Sequence, residues 1–144
     1  MSMVRELLSI KGSQVVSISF DATVRQAAEL MNDHHVGALV VLDTQQVAGI
    51  FTERDVLRRV VAAGLNPAST IVGKVMSEPV ICVSEETPLD DVRALFRDRK
   101  IRHLPVIDDR GRLNGMLSIG DLNAHRLDSQ AVTIEYLEQY IHQA

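Results

Sequence analysis

Tryptophan is absent from the 144-residue chain, and three Phe and two Tyr are its only aromatic residues. So few aromatic rings argue against stacking platforms for single-stranded nucleic acid. Cysteine occurs once, as Cys82, which excludes an intrachain disulfide and a cysteine-based zinc site. Long apolar runs are also missing: the longest, Val36 to Leu42, spans seven residues, too few to cross a bilayer. Positive charge is not in excess, because 15 Lys and Arg face 19 Asp and Glu for a net charge of −4. A broad basic footprint for nucleic acid is thereby excluded. The first residues carry Arg5 and Glu6 rather than the apolar block of a secretory signal, so a cytoplasmic location is expected. What remains is an ordinary globular balance, 46% hydrophobic and 24% charged, sufficient for a buried core.

The chain repeats itself. Thr23 to Asp43 (TVRQAAELMNDHHVGALVVLD) matches Pro88 to Asp108 (PLDDVRALFRDRKIRHLPVID) at an offset of 65, and Gly49 to Val56 (GIFTERDV) matches Gly115 to Leu122 (GMLSIGDL) at 66. Upstream, VVSIS from Val15 matches VICVS from Val80 at 65 again. Each unit reads as strand, helix, strand, strand, helix, because short β-branched runs alternate with apolar residues at helical spacing, such as Val24, Ala27, Ala28 and Met31. Thr87, Pro88 and Asp90 mark the second helix start as a capped one; the first start carries weaker signals. The expected fold class is α+β, with a first repeat over residues 1–66, a second over 67–128 and a C-terminal helix within 129–144. Units of about 60 residues lie near the lower limit for independent folding, so the two should pack together.

The strongest constellation is Thr52, Glu53, Arg54 and Asp55 with its copy Ser118 to Asp121. In each, a strand runs into a helix, and the junction presents a hydroxyl, free N–H groups and a carboxylate one turn on. Helix N-termini attract phosphate, and a carboxylate accepts both hydroxyls of a ribose, so a nucleotide could sit there. A capping box explains the same residues without a ligand. Arg102 and His103 stand before the apolar run Leu104 to Val106, where Gly37 and Ala38 hold the equivalent positions; the halves are chemically unequal there. Metal sites find little support: His34 and His35 are adjacent and diverge on a helix, and Asp121 with His125 lacks a third ligand. No P-loop, no G-x-G-x-x-G and no nucleophile elbow occurs. Catalysis is not expected.

The paired signatures HVGALVVLD with GIFTERDV, and IRHLPVID with GMLSIGDL, resemble a tandem pair of cystathionine-β-synthase (CBS) domains, a Bateman module. The resemblance runs from about Val4 to Leu127 and extends to small stand-alone bacterial members associated with signal transduction. It implies two repeats packed about a pseudo-twofold axis, two clefts between them, and binding of AMP, ADP, ATP or NAD(H). By the same resemblance Thr52 and Ser118 would contact phosphate or ribose, Asp55 and Asp121 the ribose hydroxyls, and Arg54, Arg102 and His103 the phosphates. Gly37 and Ala38 would offer only backbone at the other cleft, and adenine would lie near Val16 and Ile81. A homodimer and an unknown regulated protein are the implied partners, with no metal, nucleic acid or membrane. The rival expectation is a dimerising adaptor with empty clefts.

Overall fold

The computed structural model describes residues 2–12, 14–78 and 80–125, so the expected C-terminal helix lies outside the described residues. The order of elements is α1 (Val4–Lys11), β1 (Ser17–Ser19), α2 (Val24–His34), β2 (Ala38–Asp43), β3 (Gln46–Thr52), α3 (Glu53–Asp55) continued by a π-helical segment (Val56–Val61), α4 (Val72–Val75), α5 (Leu89–Arg99), β4 (His103–Ile107) and β5 (Leu113–Ser118). Residues 119–125 are helical. The architecture is α+β, as the sequence repeat predicts.

In the first repeat β1 pairs parallel with β2, and β2 pairs antiparallel with β3. The second repeat reproduces the hairpin, β4 against β5, but the strand expected at VICV shrinks to a single bridge, Val83 to Val106. One residue accounts for this difference. The Val40 N–H donates to the Val16 carbonyl at 3.1 Å, and the position 65 residues later is Pro105, which has no N–H to offer Ile81. Both hairpins carry a bulge at matching places, between Val41 and Leu42 and between Val106 and Ile107. Their turns differ. Thr44 and Gln45, at φ 48 and 68, make a two-residue turn whose twist suits a hairpin. In the longer turn the Asp108 carboxylate accepts the Arg110 and Arg112 N–H groups, both at 2.9 Å.

The helix starts reverse the sequence expectation. Thr23 and Gln26 form a complete capping box on α2, whereas α5 begins at Pro88 without a side-chain cap. Thr87 instead accepts the Ser84 N–H at 3.1 Å, which fixes the preceding turn. Both helices end on a non-glycine residue in the left-handed region, His35 at φ 54 and Lys100 at φ 53.

Two cores form, and each takes side chains from the other repeat's stretch of sequence. Val24, Ala27, Leu39, Val41 and Phe51 are joined by Val72, Val75 and Met76 from beyond the repeat boundary. Gly73 is required there, because a β-carbon would meet the Phe20 ring at 2.2 Å. The second core, built on Leu89, Val92, Leu104 and Leu117, takes Val4, Leu7 and Leu8 from α1. Backbone bonds fasten α1 to this half, from Val4 N–H to the Thr87 carbonyl and from Leu89 N–H to the Ser2 carbonyl, both at 2.9 Å. The repeats of the sequence are thus contiguous, but their cores are not. Leu8→Ala is expected to lower unfolding free energy by about 2–4 kcal/mol in urea titration, the cost of a buried Leu truncation; a change near zero would show that α1 is an appendage.

Candidate functional site

At the end of β3 the chain turns into α3 through a complete capping box: Thr52 Oγ1 accepts the Asp55 N–H at 3.2 Å, and Asp55 Oδ2 accepts the Thr52 N–H at 3.0 Å. Asp55 is the sole buried charged side chain among the described residues, 7% exposed. Its oxygens also accept the Ser77 hydroxyl, at 3.0 and 3.2 Å, and face Arg59 Nε at 3.6 Å. Ser77 arrives from the start of the second repeat, where it bridges back to Ile50. Arg59 is fixed in turn by donating to the Met76 carbonyl at 2.7 Å. A π-type bond from Ala62 N–H to the Leu57 carbonyl, 2.9 Å, widens the helix that carries Arg58 and Arg59.

This junction opens onto a cavity of about 530 Å³ that runs between the repeats, within the range of small-ligand sites. The first repeat lines it with Gly37, Ile50, Thr52, Glu53, Arg54, Asp55, Arg58 and Arg59. The second supplies Ser77, Val80, Ile81, Lys100, Ile101, Arg102 and His103. Gly37, expected at the other cleft, therefore shares this one with Arg102 and His103. A β-carbon on Gly37 would lie 3.1 Å from the Glu53 carboxylate.

The second junction is built alike and engaged differently. Ser118 N–H donates to Asp121 Oδ2 at 2.7 Å and Ser118 Oγ accepts the Asp121 N–H at 3.1 Å. Where Asp55 meets Ser77, Asp121 meets Lys11 from α1, Nζ to Oδ2 at 2.6 Å. Burial pushes the Asp121 carboxyl up, but the Lys11 ammonium and the Ser118 N–H hold it below the usual carboxylate range. Neither Ser118 nor Asp121 lines the cavity. Ala38, 4% exposed, is buried in β2 opposite Thr52, and Val16 packs against the first core; of the two residues expected beside adenine, only Ile81 reaches the cavity wall. Burial, and then the nearby Lys11, depress the His103 pKa against the pull of Asp121. Cys82 is half-buried, with its thiol pushed up by burial, an unreactive setting.

Sequence reading had missed Arg58, Arg59, Lys100 and Lys11. Arg58 follows Arg54 by four residues, a spacing that puts both on one helix face, and Lys100 stands two residues before Arg102; both were legible. Lys11 was not, because it meets Asp121 across 110 residues of chain. Among the described residues no three His, Cys, Asp or Glu side chains gather to hold a metal, and no helix is long and apolar enough to cross a membrane.

One capped strand-to-helix junction in each repeat, the first opening onto a cleft between the halves, defines a tandem two-repeat module. The chain belongs to the CBS domain family, whose profile matches residues 4–62 and 72–128. It is 41% identical over 126 residues to the mitochondrial CBS domain-containing protein CBSX3 of Arabidopsis thaliana, covering 84% of this chain and spanning 61% of that relative's length. The crystal structure of CBS-domain protein ATU1752 from Agrobacterium tumefaciens superposes with a TM-score of 0.78 at 34% identity, covering 87% of this chain and 99% of that one. CBS domain protein PAE2072 from Pyrobaculum aerophilum, solved in complex with AMP, gives 0.74 at 29% identity, covering 84% and 90%.

The depressed His103 pKa carries a sign. An imidazole that protonates less readily when folded contributes stability that is complete above its unfolded value near 6.5 and is lost as pH falls through the lower folded value. The His103 ring signal is expected to titrate below 6.5 by NMR, and to move back toward that value in Lys11→Met. An unchanged titration in the variant would remove Lys11 as a cause.

Proposed function

We propose that this chain is a non-catalytic sensor that binds an adenine nucleotide in the cleft between its two CBS repeats. The observation that carries the reading is the cavity itself, which joins the capped Thr52–Asp55 junction of one repeat to Arg102 and His103 of the other. Arg54 and Arg102 would hold phosphate as forked, permanently charged donors. Asp55 would take the ribose hydroxyls in place of the Ser77 hydroxyl. Adenine would lie against Ile81, whose carbonyl has lost its ladder donor to Pro105. The AMP complex of the Pyrobaculum relative lends support, and ADP, ATP and NAD(H) belong to the same ligand class.

A ligand that touches both halves favours the relative orientation in which both sets of contacts form, and a protein partner could read that shift. Catalytic turnover has no part in this. A homodimer, an unidentified regulated protein and a cytoplasmic location complete the proposal, and sedimentation equilibrium tests the first by a mass of two chains. The full partnering of Asp55 by Thr52 and Ser77 favours a second reading, an adaptor whose clefts stay empty.

Melting of protein stripped of co-purified nucleotide separates the two. A ligand bound only by the folded state adds RT ln(1 + [L]/Kd), about 2.7 kcal/mol at 100 times Kd, so AMP, ADP or ATP should raise Tm by several degrees; no shift with any of them supports the adaptor. Asp55→Ala is expected to weaken AMP binding at least about tenfold, the scale of a lost charged hydrogen bond. Asp121→Ala is the matched control, because it loses the same kind of cap outside the cavity; equal affinities in both variants would count against Asp55.

A further inference from the structure

We propose that Lys11 is a built-in occupant of the second junction, so that the module takes one ligand per chain rather than two; this rests on the nucleotide reading of the first cleft. A helical turn that the first repeat lacks delivers it. Backbone bonds make the starts of α4 and α1 equivalent. Val72 and Gly73 N–H donate to the Ala22 and Phe20 carbonyls, and Val4 and Arg5 N–H donate to the Thr87 and Glu85 carbonyls, which stand 65 residues later, the spacing of the repeat. The ends of the two helices differ. α4 stops at Val75 after four residues, whereas α1 runs for eight, to Lys11. The stretch from Val4 to Val15 is correspondingly three residues longer than its counterpart from Val72 to Val80.

The longer helix changes what reaches the cap. After α4 the backbone of Ser77 exchanges two bonds with Ile50, at 2.8 and 3.2 Å, and its hydroxyl meets Asp55 at 3.0 Å. In the second repeat the counterpart of Ile50 is Met116, and one side chain serves both places: Lys11 Nζ donates to the Met116 carbonyl and to Asp121 Oδ2. The pair is largely sheltered, with 29% of the Lys11 side chain and 23% of the Asp121 side chain exposed.

A ribose hydroxyl can replace Ser77 on Asp55 because one neutral donor is exchanged for another. On Asp121 it would have to displace an ammonium, whose charge-assisted bond is about twice as strong as a neutral one, and would leave a partly buried cation without its partner. The second carboxylate is thus engaged from within the chain.

Calorimetric titration of the full chain with AMP is expected to give one site per chain. Lys11→Ser should give two, and Asp121→Ala added to Lys11→Ser should return the count to one. Two sites in the unaltered chain, or one site in a folded Lys11→Ser variant, would overturn the closure and leave the nucleotide reading standing. If the unaltered chain binds no AMP while Lys11→Ser binds one, the closure stands and the nucleotide reading of the first cleft falls. If neither binds, both fall. A measurement without ligand covers the case in which Lys11→Ser does not fold. Lys11→Met keeps the aliphatic stem, and the Asp121 carboxyl signal in carbon NMR is expected to titrate at higher pH in that variant, because the ammonium that holds the carboxyl down is gone. An unmoved titration would show that Lys11 does not hold Asp121, and the proposal would be lost.

Discussion

Neither repeat buries its own core, and the rest of the molecule follows from that constraint. A unit of about 60 residues exposes too large a fraction of its surface to be stable alone, and here each half borrows apolar side chains from the other's stretch of sequence. Val72, Val75 and Met76 complete the first core; Val4, Leu7 and Leu8 complete the second. The connecting segments must therefore run along the seam between the halves. Ser77 meets Asp55 for this reason, and Lys11, at the end of the borrowed helix, meets Asp121. The packing requirement and the wiring of the cleft are one arrangement.

That wiring makes the two copies unequal although their local geometry is the same. Both junctions are capped by a hydroxyl and a carboxylate three residues apart. One faces a cavity lined by Arg54, Arg58 and Arg102, which make no ion pair among the described residues, and the other is closed by the Lys11 ammonium. The cations of that cavity wall are solvent-exposed, whereas Asp121 is partly buried and holds its counter-charge, Lys11, at 2.6 Å. The duplication thus gives one junction that opens onto a cleft and one that is closed by an ion pair.

Much of this was legible in advance. The internal repeat, the order of elements, the α+β class and the capped strand-to-helix junctions at Thr52 and Ser118 all follow from short-range pattern. Three readings needed correction. The VICV strand reduces to a bridge because Pro105 has no N–H, a consequence visible only once the pairing partner is known. The capping box expected at Thr87 stands instead at Thr23 and Gln26, since Thr87 is drawn to the Ser84 N–H. Gly37 lines the same cleft as Arg102 rather than the opposite one.

The sequence by itself determined the units, because periodicity, turn residues and caps act over a few residues and leave their mark in local spacing. It also determined which side chains could meet an anion. Only the tertiary structure decided which of them face one another. The meetings of Lys11 with Asp121 and of Ser77 with Asp55 depend on chain crossings that bury apolar surface. That energy is non-directional, so no local pattern encodes the partners it brings together.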